Sequence, residues 1–216
     1  FLVLMGLVLA AGPATGTTFS WREMGYTTPA RNQGACGSCW AFGATAVVES
    51  AFEIDRGKPG LDLDLSEQHL ISAPEGGGDC SGGYANQALS FYADHGVTDE
   101  ETIPYEGENT SPHYPPEAGD SLYHIGGYGY VRDSVSNYMV SLRTFGPLLA
   151  SIDSDSDLKE SVDALDDDIE ETDVDHSVAM VGYDDTENYW IVKNSWGADW
   201  GDNGYGYVKF GDIEKN

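Results

Sequence analysis

Between residues 33 and 42 the chain reads Gln33-Gly34-Ala35-Cys36-Gly37-Ser38-Cys39-Trp40-Ala41-Phe42. A helix is predicted from about residue 38 to residue 56, with Ser38 as its cap and Gly57 at its end. Apolar residues cover most of its sides, so we expect the helix to be buried. Cys39 would lie in the first turn, where the partial positive charge of the helix N-terminus favours a thiolate, the reactive form of cysteine. The segment therefore predicts a nucleophilic thiol.

Two neighbours of this thiol fit such a role. Gly37 leaves room for a substrate backbone to approach closely. Gln33 carries a side-chain amide, which is suited to donate a hydrogen bond where an oxyanion would develop.

The cysteines also allow two other interpretations, which the residues alone leave open. The spacing Cys36-x-x-Cys39 at a helix start is typical of thioredoxin-type redox pairs, although that fold places its tryptophan ahead of the motif, whereas Trp40 follows it. A zinc site built on Cys36, Cys39 and Cys80 lacks a second C-x-x-C or an H-x-x-x-H pair to complete it. The chain has 3 cysteines, and an odd count leaves one thiol unpaired.

The predicted elements change character along the chain. Short helices are expected from Ser66, as a cap, through Ile71, and from about Asn86 to His95, ended by Gly96. After about residue 120 the sequence predicts strands bounded by turn residues, at Leu148–Ile152, Ser177–Tyr183, Tyr189–Lys193 and Tyr205–Phe210. A helical first half followed by a β-rich second half predicts an α+β protein with two lobes.

The charge balance is strongly acidic, with 37 Asp and Glu against 10 Lys and Arg among 216 residues, a formal net charge of -27. Such a surface repels nucleic acid and anionic lipid, so both are excluded as partners. One interpretation of the charge is an acidic secreted protein with good solubility, and the other is adaptation to high salt, where counterions screen the self-repulsion. The acids are scattered through the chain, which fits the second interpretation better than an acidic tail would.

No metal site is expected from the acidic residues. Asp153, Asp155 and Asp157 imitate the opening of a calcium loop, but Leu158 and Ala164 stand where the loop needs glycine and glutamate. The stretch 153–175 is therefore interpreted as a solvated acidic loop.

Residues 1–18 are interpreted as the remnant of a signal peptide. The apolar run Phe1 to Ala11 is too short to span a bilayer, and small residues from Ala10 to Gly16 provide a cleavage zone. The run lacks an initial Met and a basic segment, so the sequence looks clipped at its start. We expect a secreted protein with no stable membrane association once processed.

The pattern C-G-S-C-W resembles the papain and cathepsin family, in which a histidine and an asparagine follow roughly 130–150 residues downstream. Here His176 lies 137 residues after Cys39, and Asn194 lies 155 residues after it, slightly past that range. The surrounding sequence segments, from about Trp21 to Phe210, also resemble segments of the family. They include Asp175-His176-Ser177-Val178-Ala179, Lys193-Asn194-Ser195-Trp196-Gly197, Leu65-Ser66-Glu67-Gln68, Cys80-Ser81-Gly82-Gly83-Tyr84, Ile103-Pro104-Tyr105 and Gly146-Pro147.

The resemblance implies a role for each residue that matches the family's catalytic motifs. Cys39 would be the nucleophile, and His176 its partner in a thiolate–imidazolium pair. Asn194 would orient the imidazole, with Trp196 shielding that contact. Gln33 and the backbone N–H of Cys39 would form the oxyanion hole.

The resemblance also implies a substrate cleft and one disulfide bond. Gly82 and Gly83 would line the cleft with Gly37 and bind the substrate backbone, and Ser151 and Ser177 would lie near the specificity pocket. Cys36 would pair with Cys80, which leaves Cys39 free.

The expected fold is papain-like, with a helical lobe at about 28–118 and an antiparallel, barrel-like β lobe at about 119–216 plus 19–27. The expected activity is that of a monomeric endopeptidase that acts on peptides and proteins through a Cys39 thioester, without metal or organic cofactor. A non-catalytic relative would have lost the nucleophile or the base, and both are present.

Four departures from the family pattern accompany these expectations. No inhibitory segment precedes Trp21, Ala73 replaces a cysteine of a second disulfide, 153–175 is unusually acidic, and the chain stops soon after Phe210. The scattered acidic charge predicts a salt-adapted microbe as the source.

Overall fold

The computed structural model describes residues 18–155, 157–165 and 174–213. Its helices are α1 (Cys39–Arg56), α2 (Glu67–Ser72), α3 (Ala85–Asp94) and α4 (Val135–Phe145). Its strands are β1 (Thr18–Ser20), β2 (Gly78–Asp79), β3 (Gly82–Gly83), β4 (Leu148–Ile152), β5 (His176–Asp184), β6 (Tyr189–Lys193) and β7 (Tyr205–Lys209). Thr18, the last residue of the predicted signal remnant, already lies in β1, and the rest of that remnant lies outside the described residues.

The long predicted helix is confirmed as α1, and most of its residues are buried. Gly57 ends it in the left-handed conformation, with φ 58°, where its N–H bonds to the carbonyls of Glu53 and Ile54. The prediction that Ser38 caps the helix through its side chain was wrong. The Ser38 hydroxyl makes no cap hydrogen bond and contacts the hydroxyl of Tyr105 instead, at 2.9 Å.

The other two predicted helices are confirmed within a residue or two of their expected ends. Ser66 caps α2 by accepting a hydrogen bond from the N–H of His69 at 2.9 Å. Gly96, with φ 78°, follows α3 and turns the chain away from it.

One helix, α4, was missed by the sequence analysis. Its sequence, VSNYMVSLRTF, is rich in β-branched and short polar residues, which have modest helix propensity. Tertiary contacts stabilise it: Leu142 is fully buried, its carbonyl accepts a hydrogen bond from the indole of Trp21 at 2.8 Å, and Tyr138 packs edge-on against Trp190.

Among the described residues, five strands form one antiparallel sheet in the order β1-β5-β6-β7, with β4 also paired to β5, and β2 and β3 form a separate two-stranded sheet. The strands β4 and β1 both pair with the same edge of the nine-residue β5. β4 pairs along His176–Met180, and β1 pairs along Gly182–Asp184. An isolated bridge from Lys159 to Tyr207 extends the sheet beyond β7. The described strands thus confirm the α+β, papain-like architecture expected from the sequence.

Each lobe has its own hydrophobic core. The helical core is built around Trp40, Leu65 and Tyr92, and the sheet core around Met180 and Trp190. A third cluster joins α1 to the sheet through Ala46, Ala179, Val181, Ile191 and Tyr205. Since α1 packs directly on β5, the first residue of the helix lies against the first residues of the strand.

In the described part of the chain, no helix is both long enough and apolar enough to cross a membrane.

Candidate active site

The cysteine pairing agrees with the expected disulfide. Cys36 is bonded to Cys80, and Cys39 is free and partly exposed. This pairing is inconsistent with a Cys36–Cys39 redox couple and removes two of the three sulfurs of the alternative zinc site. It leaves one thiol, at the N-terminal residue of α1.

The register of the sheet brings His176 together with the Asn194 segment. Ala179 lies opposite Lys193 in the β5–β6 pair, so the residues after β6 continue toward His176. The imidazole Nε2 lies 2.7 Å from Asn194 Oδ1, and the indole of Trp196 stacks on the imidazole at 4.9 Å with 29° between the planes. His176 and Asn194 are both buried. Trp196 therefore covers the hydrogen bond as the resemblance implies.

The tautomer of His176 follows from this contact. Asn194 Oδ1 also accepts the backbone N–H of Ser195 at 2.8 Å, which fixes the amide oxygen on the side facing the imidazole. An amide oxygen only accepts, so His176 Nε2 must carry the proton that it donates. In the neutral ring, Nδ1 is then unprotonated and available to take a proton.

The thiol of Cys39 lies close to the backbone of Ser177, at the start of β5. Burial raises the pKa of this thiol, while hydrogen bonds from the backbone of Ser177 and Trp40 lower it. Burial also lowers the pKa of His176, and the bond to Asn194 and the charge of Asp175 oppose that shift. Desolvation thus works against each separate charge, and it opposes the effect of the helix N-terminus, which favours a thiolate. A thiolate on Cys39 would therefore need a nearby positive charge to stabilise it.

The side chain of Gln33 is buried and held at both ends of its amide. Its Oε1 accepts the hydroxyl of Ser195 at 2.7 Å, and its Nε2 donates to the carbonyl of Cys36 at 2.9 Å. A primary amide has two N–H groups, so one remains for a further acceptor. Gln33 is therefore a fixed donor beside the segment that carries Cys39, which an oxyanion hole requires.

The glycines expected in the cleft lie on the helical lobe. Gly82 and Gly83 form β3, which is exposed and pairs with β2. A Cβ on Gly83 would stand 2.6 Å from the indole of Trp40, and one on Gly37 would stand 2.8 Å from the carbonyl of Cys80. Both positions therefore need glycine for close packing, whatever else they bind.

Ser151 and Ser177 are directly opposite each other in the β4–β5 pair, next to His176. Ser151 is exposed and Ser177 is partly buried. The structure thus places both serines at the edge of the same site.

Two side chains with a place in this site were missed as functional candidates. Ser195 links Gln33 to the Asn194 segment, and Tyr105 donates a hydrogen bond from its hydroxyl to the carbonyl of Gln33 at 2.7 Å. Both stand in segments already quoted for their family resemblance, but nothing in their spacing from Cys39 indicates the contact.

A group of buried charged residues lies beneath the site, between the lobes. Lys193 Nζ donates to the hydroxyl of Thr28 at 2.7 Å, and this hydroxyl donates to the carboxylate of Glu49. Burial raises the pKa of Glu49 and of Glu67 and lowers the pKa of Lys193. Glu49, Glu67, Lys193 and Asn194 all line a cavity of about 10 Å³, which is enough for about one water molecule.

Glu100 gives this region a pH-dependent stability. Its Oε2 is buried and has no hydrogen-bond partner among the described residues, and burial raises its pKa from 4.5 to about 7. Between these two pH values the folded state keeps a proton that the unfolded state releases. The free energy of unfolding therefore decreases as the pH rises from 4.5 to about 7. Buried His69 acts in the opposite sense, because burial lowers its pKa from 6.5 to about 4. Its effect is to decrease the free energy of unfolding as the pH falls through this range.

Glu100→Gln should therefore flatten the decrease in melting temperature between pH 5 and pH 7.5, because the amide no longer titrates there. The His69 contribution is the same in both proteins and cancels in the difference. The exposed neighbour Glu101, replaced by glutamine, is the matched control and should keep the wild-type slope. Equal slopes in Glu100→Gln and wild type would show that Glu100 is not protonated in the folded protein.

Comparison with known proteins agrees with this geometry. Residues 15–215 match the family described as "Papain family cysteine protease". The chain is 39% identical over 202 residues to procathepsin L of Felis catus, covering 88% of this chain and 59% of that protein. It is 36% identical over 209 residues to cathepsin L2 of Homo sapiens, covering 91% of this chain and 60% of that protein. The chain thus spans about three fifths of the length of these curated relatives.

Solved structures of cysteine proteases are also similar to this chain. A cysteine protease of Carica candamarcensis, in complex with E-64, matches with a TM-score of 0.77 and 30% identity, covering 92% of this chain and 93% of that one. Digestive procathepsin L2 from Tenebrio molitor larval midgut matches with a TM-score of 0.79 and 32% identity, covering 95% of this chain and 65% of that one. These relatives are eukaryotic and do not support the expected microbial source.

Proposed function

We propose, from the premise that the chain belongs to the papain family of cysteine proteases, that it is an endopeptidase with Cys39 as its nucleophile. The observation that carries the proposal is the free thiol of Cys39 close to the start of β5, the strand that begins with His176, whose Nε2 is bonded to Asn194. Peptides and proteins are the proposed substrates. The printed names of the relatives, cathepsins and plant cysteine proteases, support the same class of chemistry.

In the first half-reaction the Cys39 sulfur attacks the peptide carbonyl carbon, while His176 Nδ1 holds the proton that the thiol has lost. The carbonyl oxygen becomes an oxyanion, which accepts hydrogen bonds from Gln33 Nε2 and the backbone N–H of Cys39. His176 then gives its proton to the leaving amine as the C–N bond breaks. A thioester between Cys39 and the acyl part of the substrate remains.

In the second half-reaction His176 takes a proton from water as the water oxygen attacks the thioester carbon. The same donors stabilise the second oxyanion. The C–S bond breaks, the acid product leaves, and the sulfur and His176 return to their starting state. Asn194 keeps the imidazole in one orientation throughout, because its side-chain oxygen accepts the proton on Nε2.

The substrate would lie between the lobes, with its backbone along Gly82 and Gly83 and the specificity pocket near Ser151 and Ser177. We further propose that the protein acts as a monomer outside the cell, the location that a signal peptide within residues 1–18 would give. Hydrolysis of internally quenched peptides, with fluorophore and quencher at opposite ends, tests the endopeptidase assignment. Release of terminal residues without internal cleavage would contradict it.

A salt-adapted protein is proposed from the charge, with 37 acidic and 10 basic side chains. The Debye length shrinks from about 30 Å at 0.01 M salt to about 3 Å at 1 M, so repulsion across the molecule should become local. We therefore expect the melting temperature and peptide hydrolysis at pH 7 to rise with sodium chloride toward molar concentrations.

Two controls accompany the salt series. Potassium chloride should act like sodium chloride, since screening depends on ionic strength. At pH 4, where many carboxylates are protonated, the salt effect should shrink. A flat or falling melting temperature at pH 7 would show that the acidity does not adapt the protein to salt.

A further inference from the structure

We propose that Tyr105 is a positioning residue that sets the spacing between the two donors of the oxyanion hole. The proposal rests on the proposed function, because it assigns a task within the same site. Its basis is one hydroxyl that bridges the two ends of the segment 33–39.

The directions of the two hydrogen bonds can be assigned. Tyr105 Oη lies 2.7 Å from the carbonyl oxygen of Gln33, which can only accept, so the phenol proton points to Gln33. Tyr105 Oη also lies 2.9 Å from Ser38 Oγ. Since the phenol proton is already used, Ser38 donates to Tyr105. The other acceptor near the Ser38 hydroxyl, the carbonyl of Cys36, is farther away at 3.4 Å.

These two contacts reach the residues on which both oxyanion donors depend. Gln33 carries the side-chain donor, and Ser38 directly precedes Cys39, whose backbone N–H is the second donor. The disulfide at Cys36 and the bond from Gly37 N–H to the carbonyl of Cys80, at 2.9 Å, hold the middle of the segment. Tyr105 connects its two ends, so the distance between the donors depends on this hydroxyl.

Tyr105 is itself held firmly in place. Its ring packs edge-on against Phe42 of α1, with 4.9 Å between ring centroids. Its backbone N–H donates to Glu100 Oε1 at 2.6 Å. The ring therefore keeps its place when the hydroxyl is removed, and Tyr105→Phe tests the hydrogen bonds alone.

Tyr105→Phe should lower kcat by about tenfold while KM stays within about twofold, because misplaced donors weaken transition-state binding. A role in stability alone would leave the kcat of the folded protein unchanged. Ser38→Ala, which removes the other half of the bridge, should lower kcat in the same way. It keeps the proposal testable if Tyr105→Phe folds poorly.

Tyr92→Phe is the matched control. Tyr92 lies in α3 and is fully buried in the same lobe as Tyr105. Its hydroxyl is hydrogen-bonded to the hydroxyl of Thr45 in α1, at 3.0 Å. Removing this hydroxyl should lower the melting temperature and leave kcat unchanged. An equal loss of kcat in Tyr92→Phe and Tyr105→Phe would overturn the proposal.

A double-mutant cycle isolates the route through Gln33. In a Gln33→Ala background, Tyr105→Phe should lower kcat by clearly less than the tenfold expected in the wild type. The reason is that one of the donors that Tyr105 positions is then absent. Full additivity, an unchanged kcat, or an effect on KM alone would overturn the proposal. A wild type without peptidase activity would instead contradict the proposed function, so the two failures are distinguishable.

Discussion

Cys39→Ala is expected to abolish peptide hydrolysis, with kcat lowered by roughly 10⁴-fold or more, as for removal of other catalytic nucleophiles. Without the sulfur no thioester forms, and the remaining donors can only assist attack by water. Steady-state hydrolysis of a fluorogenic peptide measures the loss.

The fold should survive this change, since the truncation removes one sulfur at a partly exposed position. Cys39→Ser is the companion variant, because it keeps the size of the side chain but replaces the thiol by a much weaker acid. Both variants should melt close to the wild type and bind a peptide aldehyde without forming a covalent adduct. Substantial activity in Cys39→Ala would contradict the mechanism.

Gln33→Ala is expected to lower kcat by about 10²–10³-fold with little change in KM, which is the usual effect of removing one oxyanion donor. The reason is that one N–H of Gln33 Nε2 already donates to the carbonyl of Cys36, and the second N–H is proposed to meet its acceptor only when the substrate carbonyl oxygen becomes an oxyanion. Gln33→Glu should be at least as damaging, because it keeps an acceptor for Ser195 and replaces the donor by a charge that repels the oxyanion.

Gln68→Ala is the control for the loss of a buried glutamine. Gln68 is fully buried in the same lobe and holds the loop at Glu106 and Gly107 through its Oε1, at 3.0 and 3.1 Å. Its loss should lower the melting temperature and leave kcat nearly unchanged. If Gln33→Ala changes only KM, Gln33 binds the ground state and is not an oxyanion donor.

Local patterns in the sequence predicted the elements that carry the site. Gly57 and Ser66 mark helix ends through backbone conformation and capping, which depend on a few neighbouring residues. The strand Leu148–Ile152 was predicted with its observed bounds because turn residues flank a short apolar run. The sequence likewise predicted the helix that begins at Cys39, and a strand from Ser177 that the structure starts one residue earlier, at His176.

Features that depend on distant partners could not be predicted. Thr18–Ser20 is a strand because it pairs with Gly182–Asp184, and α4 is stabilised by packing against the sheet. Serine before a helix is usually a cap, but the Ser38 hydroxyl is directed to Tyr105, 67 residues away. The effect of burial on the Cys39 thiol likewise needs the complete site.

The thiol of Cys39 is the central claim, and covalent labelling tests it most directly. An epoxide inhibitor of the E-64 type would be incubated with the protein under non-reducing conditions, and the adduct mapped by mass spectrometry of peptides. We predict one equivalent of inhibitor on Cys39, complete loss of peptide hydrolysis, and an intact Cys36–Cys80 disulfide. An active protein that is labelled at another residue, or that keeps its activity with Cys39 labelled, would contradict the account.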